Sequence, residues 1–399
     1  MREKIIILGH NSLSRLSVAR ALGRVGYYVI VVAPKQNYQL YKSLDTYSKY
    51  INEYHNCVYQ DNELLNFLIH SFHDSTHKIV LFPTSDYTVS FISLYENILK
   101  NSFVFPHLNE NEGSTIGWMD KLKQKELAEE VGLNVAKGWL VNISNGEFTR
   151  TNEIQFPCFV KPLRSIKGGK KWLKRCDTNE ELSTFLHQIS SYEKNIQLLV
   201  EEFISITHEY AIVGYAYGNG ALLPGFISIE ELAGAGHFGV AKTGRILPPT
   251  SISGIQDLFS KYIRRIGYNG MFDIDFYECN GIFFFGELNL RYGGSSEAYI
   301  RMGINLPAIM VEHLSQGILP KKEPSITTSA SFVNELTSLD DWYYNISSFE
   351  EYQRIIKKAD FGFIKDEEDL KPYSIGFKNL IREKKFKKII KKFFLWGKY

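Results

Sequence analysis

The stretch GELNLRYGG, residues 286–294, sets a carboxylate, an amide and a guanidinium two residues apart: Glu287, Asn289 and Arg291. In an extended chain that spacing points all three to one face. Asp275 stands twelve residues before Glu287, inside the apolar run MFDIDFYE. Burying such groups is costly unless each has a partner. A metal-bound polyphosphate is a partner of the right kind. Mg²⁺ prefers carboxylate and phosphate oxygens, and cationic side chains neutralise the charge that remains. Upstream lysines suit the same chemistry. Lys121 opens the helical segment DKLKQKELAEEVGLN, with Leu122, Leu127 and Val131 as its apolar face. Lys161 ends the strand FPCFVKP, just before a basic loop in which Gly168 and Gly169 stand among Arg164, Lys167, Lys170 and Lys171. Such a loop is suited to closing over phosphates, with backbone N–H groups and cations on the anion.

The elements that position these residues fall into three regions. Residues 1 to about 110 alternate strand and helix signals. KIIILGHN is an apolar run ending in Gly, SRLSVARALGRVG an amphipathic helix, and YYVIVVAP and KIVLFPTSD are further strands stopped by Pro34 and Pro83. This is a small doubly wound α/β unit. Ligands of such sheets sit at the carboxyl ends of the strands. Here those ends carry Gly9, His10 and Asn11, and Thr84, Ser85 and Asp86. They read equally well as helix-capping loop residues and as substrate-facing ones. GHNSLS lacks the glycines of a dinucleotide fingerprint, so a bound NAD is disfavoured. The second region runs from 111 to about 320 and holds LLVEEFI, an apolar run ending in Glu201 and Glu202, before HEYAIVGYAYGNG. Residues 321–399 form a C-terminal extension.

The order of these parts resembles the ATP-grasp superfamily, and within it the branch of biotin carboxylase and carbamoyl-phosphate synthetase. The resemblance covers roughly residues 1–320. It implies a mixed α/β and α+β architecture: an ATP-grasp fold behind an N-terminal doubly wound domain, with a small nucleotide lid at about 136–204. It further implies that ATP and Mg²⁺ (or Mn²⁺) are bound. Lys121 and Lys161 then look like the lysines on the ATP phosphates, and Ser165 to Lys170, with Gly168 and Gly169, like the lid over the γ-phosphate. Glu201 and the backbone of Glu202 and Ile204 would meet adenine, with Glu209 near the ribose. Lys242, in GVAKTGRILPP, would touch the phosphates. Asp275 and Glu287 look like metal-bridging acids with Asn289 beside them, and Arg291 like the group that steadies the transferring phosphoryl. Leu290 stands where the family often has proline, and Gly294 where some members have a further arginine. There is no biotinyl-carrier motif and no second synthetase half. The resemblance therefore implies a carboxylate–amine ligase: ATP phosphorylates a carboxylate, and an amine attacks the acyl-phosphate with release of ADP and phosphate. A ligase with a thiol or other acceptor, or a nucleotide-binding regulator without chemistry, are the alternatives. An amino acid or a cell-envelope precursor is the candidate substrate.

Bulk properties bound these readings. The chain of 399 residues is 44% hydrophobic and 23% charged, as expected of a soluble globular protein of two to four domains. Its apolar runs are strand-sized and none approaches a membrane span. The charged start, Arg2, Glu3 and Lys4, does not read as a signal peptide. The four cysteines are scattered, so neither zinc nor a disulfide framework is indicated, and a reducing cytoplasm fits. A net charge of +2 argues against a nucleic-acid partner. The charge is uneven, however. Residues 378–399 carry nine Lys or Arg against one acid, leaving −6 on the other 377. Phe386, Ile389, Ile390, Phe393 and Trp396 recur there at helical spacing, which predicts a basic amphipathic helix. Such a helix either docks its apolar face on the protein or lies on an anionic membrane surface, the inner one for a cytoplasmic enzyme.

Overall fold

Strands that are apolar on both faces need cover on both sides, which is the pattern of a parallel sheet. The computed structural model describes residues 3–35, 42–73, 78–109, 113–149, 153–164, 169–234 and 240–396. It places the first strands in one parallel sheet, in the order Glu53–Cys57, Tyr28–Pro34, Lys4–Leu8, Ile79–Pro83, Phe103–Val104. Asn11 starts the helix Ser12–Arg24 by accepting from the backbone N–H groups of Leu13 and Ser14. The sequence reads this helix as amphipathic, yet the structure buries every residue from Leu13 to Leu22. The reason is that later chain packs on its outer side. Arg15 reaches Asp45 at 2.7 Å and Arg20 reaches Asp369 at 3.0 Å, so both buried guanidinium groups are paired. Ser17 meets Tyr292 and Glu297, just beyond the acid–amide–arginine motif.

A second, antiparallel sheet follows in the order Lys174–Cys176, Cys158–Pro162, Asn195–Glu202, Gly138–Ser144, Glu147–Thr149. The helix Asn179–Tyr192 covers it through Leu182, Phe185, Leu186 and Ile189. These residues span the segment expected to hold the nucleotide lid.

The third sheet has ten strands and is mostly antiparallel. His208–Tyr217 and Tyr268–Cys279 pair over ten positions. Tyr268–Cys279 then turns back on Ile282–Asn289 through Asn280 and Gly281, both at positive φ (52° and 81°). An Asn-Gly pair suits this turn because both residues accept the left-handed backbone. The register from the turn would set Asp275 against Gly286, but a bulge there pairs Asp275 with Glu287 instead. The slip matters because one residue of register exchanges the faces of a strand. Residues after 320 add to this sheet: Ala330–Val333 pairs with Ala241–Leu247, and Phe361–Gly362 with Ala330–Val333.

Candidate functional site

The hairpin puts Asp273 opposite Asn289 and Asp275 opposite Glu287. Directly paired residues share a face, so three carboxylates and an amide line one side of two strands. The Asn289 amide donates to Asp275 at 3.4 Å, and its carbonyl accepts from Arg291 at 3.2 Å. Arg291 Nε donates to Asp86 Oδ1 at 2.5 Å. Asp86 thus belongs to the site, and the carboxyl end of the N-terminal sheet closes one wall of the cleft. The electrostatics show strong crowding. Burial pushes the Asp273 carboxyl up to about 6, against the pull of Arg291 and with repulsion from Glu287 and Asp86. The Asp275 carboxyl is also raised well above its ordinary value, by the surrounding protein and by Asp273 and Glu287, although its side chain still opens to solvent on the cleft floor. Among the described residues, Asp273 Oδ1 is buried with no hydrogen-bond partner. Gly293 makes room for this carboxylate: a Cβ there would lie 2.0 Å from Asp273 Oδ2.

Lysines face the acids from the helix Lys121–Val131. Asp120 caps it, accepting from Leu122 and Lys123, and the Lys121 N–H donates to Leu163 O at 3.1 Å, which joins the helix to the end of the strand Cys158–Pro162. Gln124 fixes it against the hairpin: its side chain donates to Leu288 O at 2.9 Å and accepts from Leu288 N at 3.0 Å. The buried face therefore presents Lys121, Gln124 and Lys125 as well as Leu127, Ala128 and Val131, while Leu122 is only half-buried. Lys121 Nζ lies 2.9 Å from Glu287 Oε1. Lys161 Nζ lies 2.7 Å from Glu201 Oε2, and Lys125 pairs with the other oxygen of Glu201. Burial raises the cost of the Glu201 charge, but the two lysines outweigh it and hold the carboxyl low.

Other expected residues sit differently. The Glu201 side chain faces the lysines. The Glu202 N–H donates to Lys137 O at 2.9 Å. Ile204 lies in the coil that carries the chain from the antiparallel second sheet to the large sheet. Glu209 shares the cleft face one ladder step from Asp275, and burial pushes its carboxyl up. Lys242 is not brought to the acids. It pairs with Glu231 at 2.7 Å and Asp341 at 3.2 Å. Its strand stands three places from Tyr268–Cys279 in the sheet, about 14 Å at ordinary strand spacing. Ser165 and Gly168 lie outside the described residues, and Gly169 opens the single turn Gly169–Trp172.

No family model matches the chain. Comparison with solved structures finds N5-carboxyaminoimidazole synthetase from Staphylococcus aureus complexed with ADP, at a TM-score of 0.62 and 17% identity over 88% of this chain and 87% of that one. L-amino acid ligase from Bacillus licheniformis matches with a TM-score of 0.62 and 13% identity, over 83% of this chain and 79% of that one. The chain has the ATP-grasp fold. A D-aspartate ligase from Enterococcus faecium is 22% identical over 257 residues, 60% of this chain and 59% of that enzyme's length. The ATP-grasp fold expected from the motif order is therefore present, with its parallel N-terminal sheet.

The donor set of this ATP-grasp cleft fits a hard divalent ion. Among the described residues, no three His, Cys, Asp or Glu side chains are gathered into a cage of their own. Mg²⁺ ordinarily takes one or two carboxylates and fills its octahedron with phosphate and water oxygens, so the facing pair Asp275 and Glu287 suits it. The unpartnered Asp273 oxygen marks the same wall as short of positive charge. Two residues were not read from the sequence as part of the site. Lys125 was signalled by its place one helical turn after Lys121, and Asp273 by its place two residues before Asp275 on the same face. Asp86 was read from its position at a strand end, equally as a capping and as a substrate-facing residue.

Proposed function

We propose that this protein is an ATP-dependent ligase that phosphorylates a carboxylate and joins the acyl-phosphate to an amine, releasing ADP and phosphate. The observation that carries the reading is the hairpin face Asp273, Asp275, Glu287 and Asn289, closed by Arg291 and opposed by Lys121. Asp275, Glu287 and Asn289 hold Mg²⁺ (or Mn²⁺). The bound ion supplies Lewis-acid polarisation and charge neutralisation at the phosphates. Lys121, Lys125 and Lys161 attract the polyphosphate, and Glu201, paired with Lys125 and Lys161, holds those two in place. Arg291, held by Asp86 and Asn289, steadies the negative charge of the transferring group, which is positioning and electrostatics without a covalent enzyme intermediate. The Glu201–Ile204 segment borders the base, with Glu209 toward the ribose. Lys242, tied to two carboxylates across the sheet, stays outside the reacting set.

The substrate class we infer is an amino acid, as the names of D-aspartate ligase and L-amino acid ligase suggest, joined to a second amino acid or to a cell-envelope precursor. The test is a panel of amino acids and such precursors incubated with ATP and Mg²⁺, read by ADP release and by mass spectrometry of the product. The expected result is ADP and phosphate formed only when a carboxylate and an amine are both present, with an amide of matching mass. AMP and pyrophosphate as products would overturn the reading.

A further inference from the structure

The helix Lys378–Trp396 sits on the protein the opposite way to an ordinary amphipathic helix. Its cations make the contact. Lys384 Nζ stands 4.7 Å from the ring centre of Tyr343, Lys385 Nζ 5.0 Å from that of Phe349, and Lys388 Nζ 4.6 Å from that of Trp342. Lys384 also pairs with Asp340, and Lys388 donates to the Trp342 carbonyl at 2.9 Å. These aromatic partners belong to the helix Glu335–Tyr343 and to the start of the helix Phe349–Lys358. Leu380, Ile381 and the buried Glu383 complete the docked side.

Arg382, Phe386 and Ile389 recur at i, i+4 and i+7 and so share the other face. All three are exposed, Phe386 by 56% and Ile389 by 53%. Tyr344, 53% exposed, packs edge-on against Tyr343 at 5.1 Å and extends the apolar surface beside the helix. Cation–π contacts explain how lysines can hold a helix to a protein while aromatic and aliphatic residues look outward. They do not explain why Phe386 and Ile389 should be left in water.

Charge decides the kind of partner. Residues 378–399 carry a net +8 on a chain whose remainder is −6. A second copy placed on this face by a two-fold axis would bring like charge against like charge. An anionic lipid surface supplies the opposite charge together with an apolar layer shallow enough for two side chains. We propose that the outward face of Lys378–Trp396 docks parallel to an anionic membrane surface, with Phe386 and Ile389 entering the headgroup boundary and Arg382 at the phosphates. No helix among the described residues is long and apolar enough to cross a membrane, so the contact is peripheral. The side chains of Ile390, Phe393 and Trp396 lie outside the described residues.

The test is flotation of the full chain with vesicles of phosphatidylcholine alone and of phosphatidylcholine mixed with phosphatidylglycerol, at low and high salt. The expected result is flotation with the anionic vesicles only, weakened by salt. The double variant Phe386→Ser/Ile389→Ser should lose about tenfold in lipid partition, with an unchanged melting profile and unchanged ADP release. Arg382→Glu should weaken binding at low salt and leave the high-salt residue unaltered. Failure of the parent protein to float, or equal flotation of parent and double variant, overturns the proposal. So does a dimer, detected by light scattering, that the double variant abolishes, because the face would then belong to a second copy. Flotation and ADP release are separate readouts, so either idea can fail alone.

Discussion

Glu287 stands between two charges of opposite effect: Asp275 across the ladder and Lys121 at 2.9 Å. Replacing it by Gln keeps its shape and removes the charge proposed to ligate the metal. Glu287→Gln should lower kcat by about two to three orders of magnitude, the usual cost of one electrostatic stabiliser, with a normal melting profile. Near-parental turnover would remove Glu287 from the metal site. Glu201 offers a contrasting case. Glu201→Ala leaves Lys125 and Lys161 close together without their shared counter-ion, a loss of about 3–5 kcal/mol when a buried pair is broken from one side. Its melting temperature should drop clearly, and the KM for ATP should rise in whatever folded protein remains. An unchanged melting temperature would mean that the pairs contribute nothing. Glu287, Asn289 and Arg291 were legible because a two-residue step on a strand is a strong geometric statement. The role of Glu201 was not, because its partners come from a helix and a strand that only the fold brings together. The pairing of Lys242 with Glu231 and Asp341 was hidden for the same reason, since its partners come from another strand and from a later helix.

At the scale of elements, the site depends on one extra residue in the strand Ile282–Asn289. Without the bulge, Glu287 and Asn289 would turn away from Asp275 and Asp273. Gly286 permits it, since a Cβ there would stand 2.7 Å from the carbonyl oxygen of Asp275. Gly286→Ala should therefore cost about 1–3 kcal/mol and lower activity more than stability, because the strain is relieved by moving the acids apart. Denaturant titration and kcat on the same preparation check this. Full activity in a destabilised variant would show that the bulge is not what aligns them. The strands themselves were legible from their apolar runs, and the bulge was not, because nothing in the hydrophobic pattern of IFFFGELN distinguishes a slipped register from a regular one. The C-terminal helix was legible as a helix, but its orientation was not. The rings that receive its lysines lie about forty residues earlier, and hydrophobic periodicity alone left open whether the apolar face met the protein or a membrane.

At the scale of the molecule, the N-terminal sheet, the large sheet and the segment 363–369 are locked by buried charges. Arg20 donates to Asp369 and to the carbonyls of Phe363, Ile364 and Asp369. Asp366 meets Arg24 and Arg301. Burial works against the Asp366 charge, but Arg24, Arg301 and Arg20 outweigh it and hold its carboxyl below the ordinary range. A carboxylate with a lowered pKa stabilises the fold above its unfolded value, about 4, and that contribution is lost as pH falls through the lower folded value. Asp366→Asn should therefore melt below the parent at neutral pH, with the gap closing below about pH 4. A gap independent of pH would place the effect in packing. Whether phosphoryl transfer activates a carboxylate is read from the fate of an isotope label. If the carboxylate oxygen attacks the γ-phosphorus, and the amine then displaces phosphate from the carbonyl carbon, one carboxylate oxygen leaves with the phosphate. With an ¹⁸O-labelled carboxylate, an amine and ATP, the account predicts label in inorganic phosphate and none in AMP. Label in AMP, or product formed with no label in phosphate, would contradict it.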